Sequence, residues 1–252
     1  MSRRGWFFAL LLLPACNRPQ QAPQPRPAAP PAPPAASRQA DDTRPVIAAF
    51  GDSLTAGYGV EPGQSYPDHL QRMLDERGYA YRVVNLGISG DTTDGGVARL
   101  DGALLLKPKI VILELGANDG LRGLPLERTR ANLDLMLNAF QGAGAKVILA
   151  GMTLPRNYGA AYVRDFERIF RDLARQRRAV LIPFFLEGVA MNPALMQPDG
   201  LHPNAEGCRK VAELVFRHLE PLLEKQGARR PPKMKVPAAC RINSHSKNRA
   251  WR

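Results

Sequence analysis

The sequence predicts a single α/β domain built on a doubly wound, five-stranded parallel sheet. Three observations predict it. Short apolar runs rich in β-branched residues recur through the middle of the chain, each ending in turn residues. Stretches with apolar residues at helical spacing separate these runs. The alternation fills about 180 residues with no internal repeat, and strands alternating with helices make a parallel sheet covered by helices.

The predicted strands are Val46–Phe50, Tyr81–Leu86, Ile110–Leu115, Lys146–Ala150 and Ala179–Pro183, all read as buried parallel strands. A helix over Tyr66–Arg77 places Leu70, Met73 and Leu74 on one face. A second, over Leu126–Phe140, gathers Leu133, Met136, Leu137 and Phe140. A third, over Tyr162–Arg177, gathers Phe166, Ile169, Phe170 and Leu173. The last, over Ala205–Leu223, gathers Val211, Leu214, Val215 and Leu219. The domain therefore spans residues 46–224.

The two ends have a different character. Residues 3–15 pair Arg3 and Arg4 with an apolar stretch of ten, Trp6–Ala15, which has the length of an export signal. No apolar run reaches the roughly 18 residues of a membrane-spanning helix, so an integral membrane protein is not expected. Leu13-Pro14-Ala15-Cys16 resembles a bacterial lipobox, in which Cys16 carries the lipid, and Asn17 leans the assignment to the outer membrane. Residues 1–16 thus read as a signal peptide. Residues 17–45, rich in Pro, Ala and Gln, read as an extended spacer. Residues 225–252 read as a basic, disordered tail in which Cys240 and His245 lack partners.

The formal net charge of +12 suggests a nucleic-acid binder only until it is located. Residues 1–44 hold six Lys/Arg against two Asp, and residues 225–252 hold nine against no acid. The body between holds 20 against 21. The positive charge belongs to the ends, and no specific nucleic-acid partner is expected. Three cysteines make no disulfide framework, and no Cys/His cluster has zinc spacing.

Ligands of doubly wound sheets lie at the carboxyl ends of the strands. Gly51-Asp52-Ser53 follows the first run, Gly87-Ile88-Ser89-Gly90 the second, Gly116-Ala117-Asn118-Asp119 the third, and Asp199-Gly200-Leu201-His202 a loop after the last. Each alone has a bland explanation: Ser53 as a helix cap, Gly90 as a turn, Asn118 and Asp119 as Asx turns, Asp199-Gly200 as a turn. Together they fit one chemistry. A serine hydroxyl needs a base within hydrogen-bond reach. His69 and His218 fall in helical patterns and His245 in the tail, which leaves His202 as base for Ser53. Asp199, three residues earlier, holds the imidazole in one tautomer. The N–H groups of Ser53 and Gly90 and the amide of Asn118 supply oxyanion donors, each worth roughly 3–4 kcal/mol of barrier. Asp52, Asp91 and Asp119 read as turn and network residues rather than metal ligands, and Cys208 as a buried structural thiol. There is no phosphate loop, dinucleotide fingerprint or nucleophile elbow, so no cofactor is expected.

GDSLTAGYG, NLGISGDTT, GANDG and DGLHPNAEG, in that order, resemble the four blocks of the SGNH (GDSL) hydrolases over about residues 46–224. The nearest likeness is to the bacterial multifunctional acyl-CoA thioesterase/lysophospholipase and arylesterase group. The resemblance implies a flavodoxin-like three-layer α/β/α fold, with Ser53 as nucleophile, Gly90 and Asn118 as oxyanion donors, and Asp199 and His202 completing the triad. It implies a serine esterase acting on small acyl esters, thioesters or lysolipids; the signal-like segment and Cys16 lead us to expect that it is exported to the periplasm and touches the membrane through a lipid on Cys16, and a monomer is expected. A carbohydrate O-deacetylase of the same family is the alternative, with Tyr58 and Tyr158 as candidate cleft aromatics. A non-catalytic, lipid-anchored binding protein is the other. The acyl group is expected against residues 120–126 and 186–197, which are apolar loops with glycine.

Overall fold

Strands β1 (Val46–Gly51), β2 (Arg82–Gly87), β3 (Ile110–Glu114), β4 (Lys146–Ala150) and β5 (Val180–Ile182) form one all-parallel sheet. Their order is β2-β1-β3-β4-β5, in a computed structural model that describes residues 42–224. The signal-like segment, Cys16, most of the Pro-rich spacer and the basic tail lie outside these residues.

Helices α1 (Ser53–Ala56), α2 (Tyr66–Glu76), α3 (Thr93–Ala98), α4 (Leu100–Leu104), α5 (Ala117–Leu121), α6 (Leu126–Gly142), α7 (Ala160–Arg177) and α8 (Ala205–Leu219) surround the sheet among the described residues. Right-handed crossovers fix which face each covers. The connection outward to β2 places α2 on one face, where it packs against α8. The connections in the opposite direction place α3, α6 and α7 together on the other. The result is the expected three-layer α/β/α architecture.

Both faces of the central strands are dry. β1 and β3 are buried at every position, which explains their continuous apolar runs. Leu133, Met136, Leu137 and Phe140 of α6 are fully buried, and each such side chain contributes about 1.5–3 kcal/mol. The sequence reading of five buried strands needs correction at the edges. β2 is half-buried along most of its length, and β5 is three residues long and largely half-buried. An edge strand has one neighbour and less helix above it, so fewer of its side chains need be apolar.

Helix ends follow local chemistry. Ser65 and Asp68 form a reciprocal capping box at the start of α2. Asn204 caps α8 by accepting from the Gly207 N–H at 2.9 Å. α8 ends at Leu219, short of the predicted Leu223, and passes into a 3₁₀ turn over Glu220–Leu222 at Pro221, which has no N–H to continue the ladder.

The turn that leaves β1 is crowded. A Cβ on Gly51 would meet Thr55 Oγ1 and lie 2.5 Å from Glu114 Oε2 and 2.6 Å from the Glu114 carbonyl oxygen. The backbone of a neighbouring central strand cannot yield to it. Gly51→Ala is therefore expected to destabilise the fold by about 3 kcal/mol, read as a lower urea midpoint at unchanged m-value. A midpoint equal to wild type would show that the turn relaxes freely.

Candidate active site

The sheet winds outward from β1 to β2 and the opposite way from β3 to β5. At that switch point the strand carboxyl ends leave a crevice. β1 delivers Ser53 to it and β3 delivers Asn118. The helix cap after β1 is Asp52, not Ser53. Asp52 Oδ1 accepts from the Leu54 N–H at 3.0 Å, which leaves the serine hydroxyl free for other work.

His202 comes from the far side of the sequence. It sits on a loop closed by the Met196–Pro203 bridge. Gln197 straps that loop: its N–H donates to the His202 carbonyl at 2.7 Å, and its amide donates to the carbonyls of Tyr58 (2.7 Å) and Pro203 (2.9 Å). His202 Nε2 lies 2.9 Å from Ser53 Oγ, and His202 Nδ1 lies 2.6 Å from Asp199 Oδ2. The other oxygen of Asp199 accepts from the backbone N–H groups of Leu201 (2.9 Å) and His202 (3.0 Å). Burial pushes the Asp199 carboxyl up, but these bonds from His202 and Leu201 outweigh it and hold the carboxyl down at about 2. Tyr58 lays its ring 4.6 Å from the imidazole, centroid to centroid.

The predicted oxyanion donors lie on adjoining turns. Neither the Ser53 nor the Gly90 N–H has an acceptor among the described residues. Gly90 has φ +80°, a left-handed conformation that favours glycine, and Arg122 holds its carbonyl with a 2.8 Å bond. Asn118 Nδ2 donates to the Asp91 carbonyl at 2.9 Å and to Asp52 Oδ2 at 3.1 Å. Asp119 points away and binds Thr93 N–H and Oγ1 at 2.9 and 2.5 Å, a network role as expected.

A cavity of about 470 Å³ opens beside Ser53 and His202, within the size range of small-molecule sites. Both expected loops contribute, Leu121 from one and Leu186, Met191 and Met196 from the other. A third wall, Met152–Pro155 after β4, carries no reactive group and gives no chemical signal in the sequence. Tyr58 stands exposed above the imidazole. Tyr158 does not line the cavity; its hydroxyl donates to the Leu121 carbonyl at 2.8 Å and braces that wall from behind.

The GDSL-like lipase/acylhydrolase family model matches residues 49–210. The chain belongs to this family. It is similar to the esterase TesA of Pseudomonas aeruginosa, with 45% identity over 178 residues that cover 70% of this chain and 89% of that protein. It is similar to thioesterase 1/protease 1/lysophospholipase L1 of Escherichia coli K12, with 39% identity over 175 residues, 69% of this chain and 83% of the other. A crystal structure of TesA superposes with a TM-score of 0.69 at 44% identity and covers 71% of this chain and 99% of that one.

As a family member the protein is a serine ester hydrolase, and its site holds residues that sequence reasoning missed. Arg99 donates to the carbonyls of Leu86 (2.7 Å) and Gly51 (2.8 Å) and to Asp91 Oδ2 (2.7 Å), with its guanidinium 3.9 Å from the Phe50 ring centroid. It ties the ends of β1 and β2 to the turn that presents Gly90. Glu114 is the second. An acid inside an otherwise apolar strand is a signal available in the sequence.

Proposed function

We propose that this esterase hydrolyses acyl esters and thioesters, including aryl esters and lysophospholipids, through an acyl-Ser53 intermediate. The observation that carries this reading is the hydrogen-bonded line Asp199–His202–Ser53 at the mouth of an apolar cavity. His202 Nε2 takes the Ser53 proton as Oγ attacks the carbonyl carbon. The tetrahedral oxyanion faces the N–H groups of Ser53 and Gly90 and the amide of Asn118, taking a share of the longer bond that Asn118 makes to Asp52. His202 returns the proton to the leaving oxygen or sulfur. Water, deprotonated by the same imidazole, then attacks the acyl-serine, and the carboxylic acid leaves as the acyl carbon–Oγ bond breaks and His202 returns the proton to Ser53 Oγ.

The cavity supports an acyl chain longer than acetyl, which is the argument against the O-deacetylase alternative. Each buried methylene stabilises binding by about 0.8 kcal/mol. Ala190, a small half-buried residue of the cavity wall, offers a place to shorten it. Ala190→Phe is expected to exclude about two methylenes, roughly 1.6 kcal/mol or fifteenfold in kcat/KM for long p-nitrophenyl esters, with the acetate nearly unchanged. A uniform loss across the series, or none, would remove the cavity as the acyl site. We place the enzyme outside the cytoplasm, held by a lipid on Cys16, on the strength of residues 3–16 alone.

A further inference from the structure

Two acids are buried directly beneath the nucleophile. Glu114 closes β3 with 0% of its surface exposed, and Asp52 follows β1 with 1% exposed. The strands are neighbours with Gly51 opposite Glu114, so the two side chains meet. Glu114 Oε2 accepts from the Asp52 N–H at 3.2 Å and from Thr55 Oγ1 at 2.8 Å. Glu114 Oε1 is buried and receives no hydrogen bond. The Asp52 backbone is thus bonded directly to the Glu114 carboxylate, which places the two acids side by side.

The charged and titratable groups around the pair are few. Tyr66 of α2 approaches through its hydroxyl, 3.4 Å from Thr55 Oγ1. His202 faces Asp52 from the loop before α8. Arg99 spends its guanidinium on carbonyls and on Asp91, not on either buried acid. Asn118 faces Asp52 from α5, and its amide is neutral. Among the described residues no cation therefore pairs with Glu114, and two adjacent buried carboxylates without one cannot both stay ionised. Burial pushes Glu114 well above the usual carboxylate range, and the Asp52 charge pushes it further. Burial raises Asp52 as well, to about 6, against the bonds from the Leu54 N–H and Glu114, the nearby His202 and the bond from Asn118.

A proton on Glu114 Oε1 resolves both oddities at once. It gives the unpartnered oxygen a hydrogen bond to make, and it leaves the pair with one negative charge. That charge sits on Asp52, whose Oδ1 caps the helix bearing Ser53 and whose Oδ2 turns the Asn118 amide. We propose that Glu114 is a positioning residue: a neutral acid that donates its Oε1 proton to Asp52, drawing charge away from the oxyanion and fixing the Ser53 turn and the Asn118 amide through Asp52. The proposal rests on the assignment of Asn118 to the oxyanion site, while the protonation of Glu114 stands apart from it.

The test uses the full chain as Glu114→Gln and Glu114→Ala. Glutamine keeps an acceptor for the Asp52 N–H and Thr55 and offers an N–H to Asp52, so it mimics the neutral acid. E114Q is expected to keep kcat on p-nitrophenyl butyrate within about threefold of wild type. E114A is expected to lose about a hundredfold in kcat with KM little changed, as when an oxyanion donor is lost. A protonated-carboxyl band in the wild-type infrared spectrum should vanish in E114Q. The sign of the stability effect is fixed. The unfolded chain ionises Glu114 near its ordinary 4.5 while the folded chain keeps the proton, so wild-type stability is present below that pH and falls as pH rises. The Tm of E114Q should therefore gain on wild type with rising pH. A folded E114Q as slow as E114A, wild-type kcat in both variants, or no such infrared band would overturn the proposal. If E114A does not fold, the E114Q rate and the band decide. Asn118→Ala separates the two failures: wild-type kcat in that variant removes the oxyanion assignment, whereas a slow Asn118→Ala beside a wild-type E114A removes the positioning role of Glu114 alone.

Discussion

Replacing Ser53 with alanine is expected to lower kcat on p-nitrophenyl esters by about 10⁴- to 10⁶-fold while leaving the fold intact. The size follows from the geometry. Ser53 Oγ is the group placed 2.9 Å from His202 Nε2, and a methyl group cannot attack a carbonyl. The fold survives because Asp52, not Ser53, caps α1, so the substitution removes no helix-capping bond. The Tm should move by no more than a degree or two. Because nucleophile and base act as a unit, His202→Ala should cost a similar amount, and the double variant little more than either single one. Covalent labelling by a fluorophosphonate should add mass to the wild-type chain and none to Ser53→Ala. Activity retained within tenfold in Ser53→Ala, or additive losses in the double variant, would sink the acyl-serine reading.

What the sequence revealed of this fold depended on burial. β1, β3 and β4 sit in the middle of the sheet, so nearly every residue had to be apolar and the runs stand out. β2 and β5 lie at the edges, where the same signal thins. The long helices α2, α6, α7 and α8 present an apolar face at a 3.6-residue period and were legible within a few residues. α1, α3, α4 and α5 span four to six residues each, too few for a period to show, and three of them contain glycine. In the site, Ser53, Gly90, Asn118, Asp199 and His202 could be found because each polar residue follows an apolar run and needs a reason to be there. Arg99 and the wall at Met152–Pro155 could not. Arginine on a helix is ordinarily a solvated charge, and an apolar loop is ordinarily core. Only the folded chain shows the first holding three loop ends together and the second facing the cavity.

Asp199→Asn is expected to cost about 10³- to 10⁴-fold in kcat, with KM little changed, for a reason of tautomer rather than of charge alone. Asp199 Oδ1 is committed to two backbone N–H groups, from Leu201 and His202. An asparagine will keep its oxygen on those donors, because turning round would set its NH₂ against both. Its NH₂ then faces His202 Nδ1, where the carboxylate oxygen now stands at 2.6 Å. The imidazole must accept there and carry its proton on Nε2. That proton points at Ser53 Oγ, and the nitrogen that should take the serine proton is already occupied. The range sits at or below the cost known for a fully buried triad acid because 38% of the Asp199 side chain is exposed, so water can rescue part of the correct tautomer. The carboxyl is held at about 2, so the wild-type residue is charged around neutral pH and its titration contributes no acid limb there. A near-wild-type kcat in folded Asp199→Asn would mean that the Gln197-strapped loop alone holds His202 in its working orientation and tautomer.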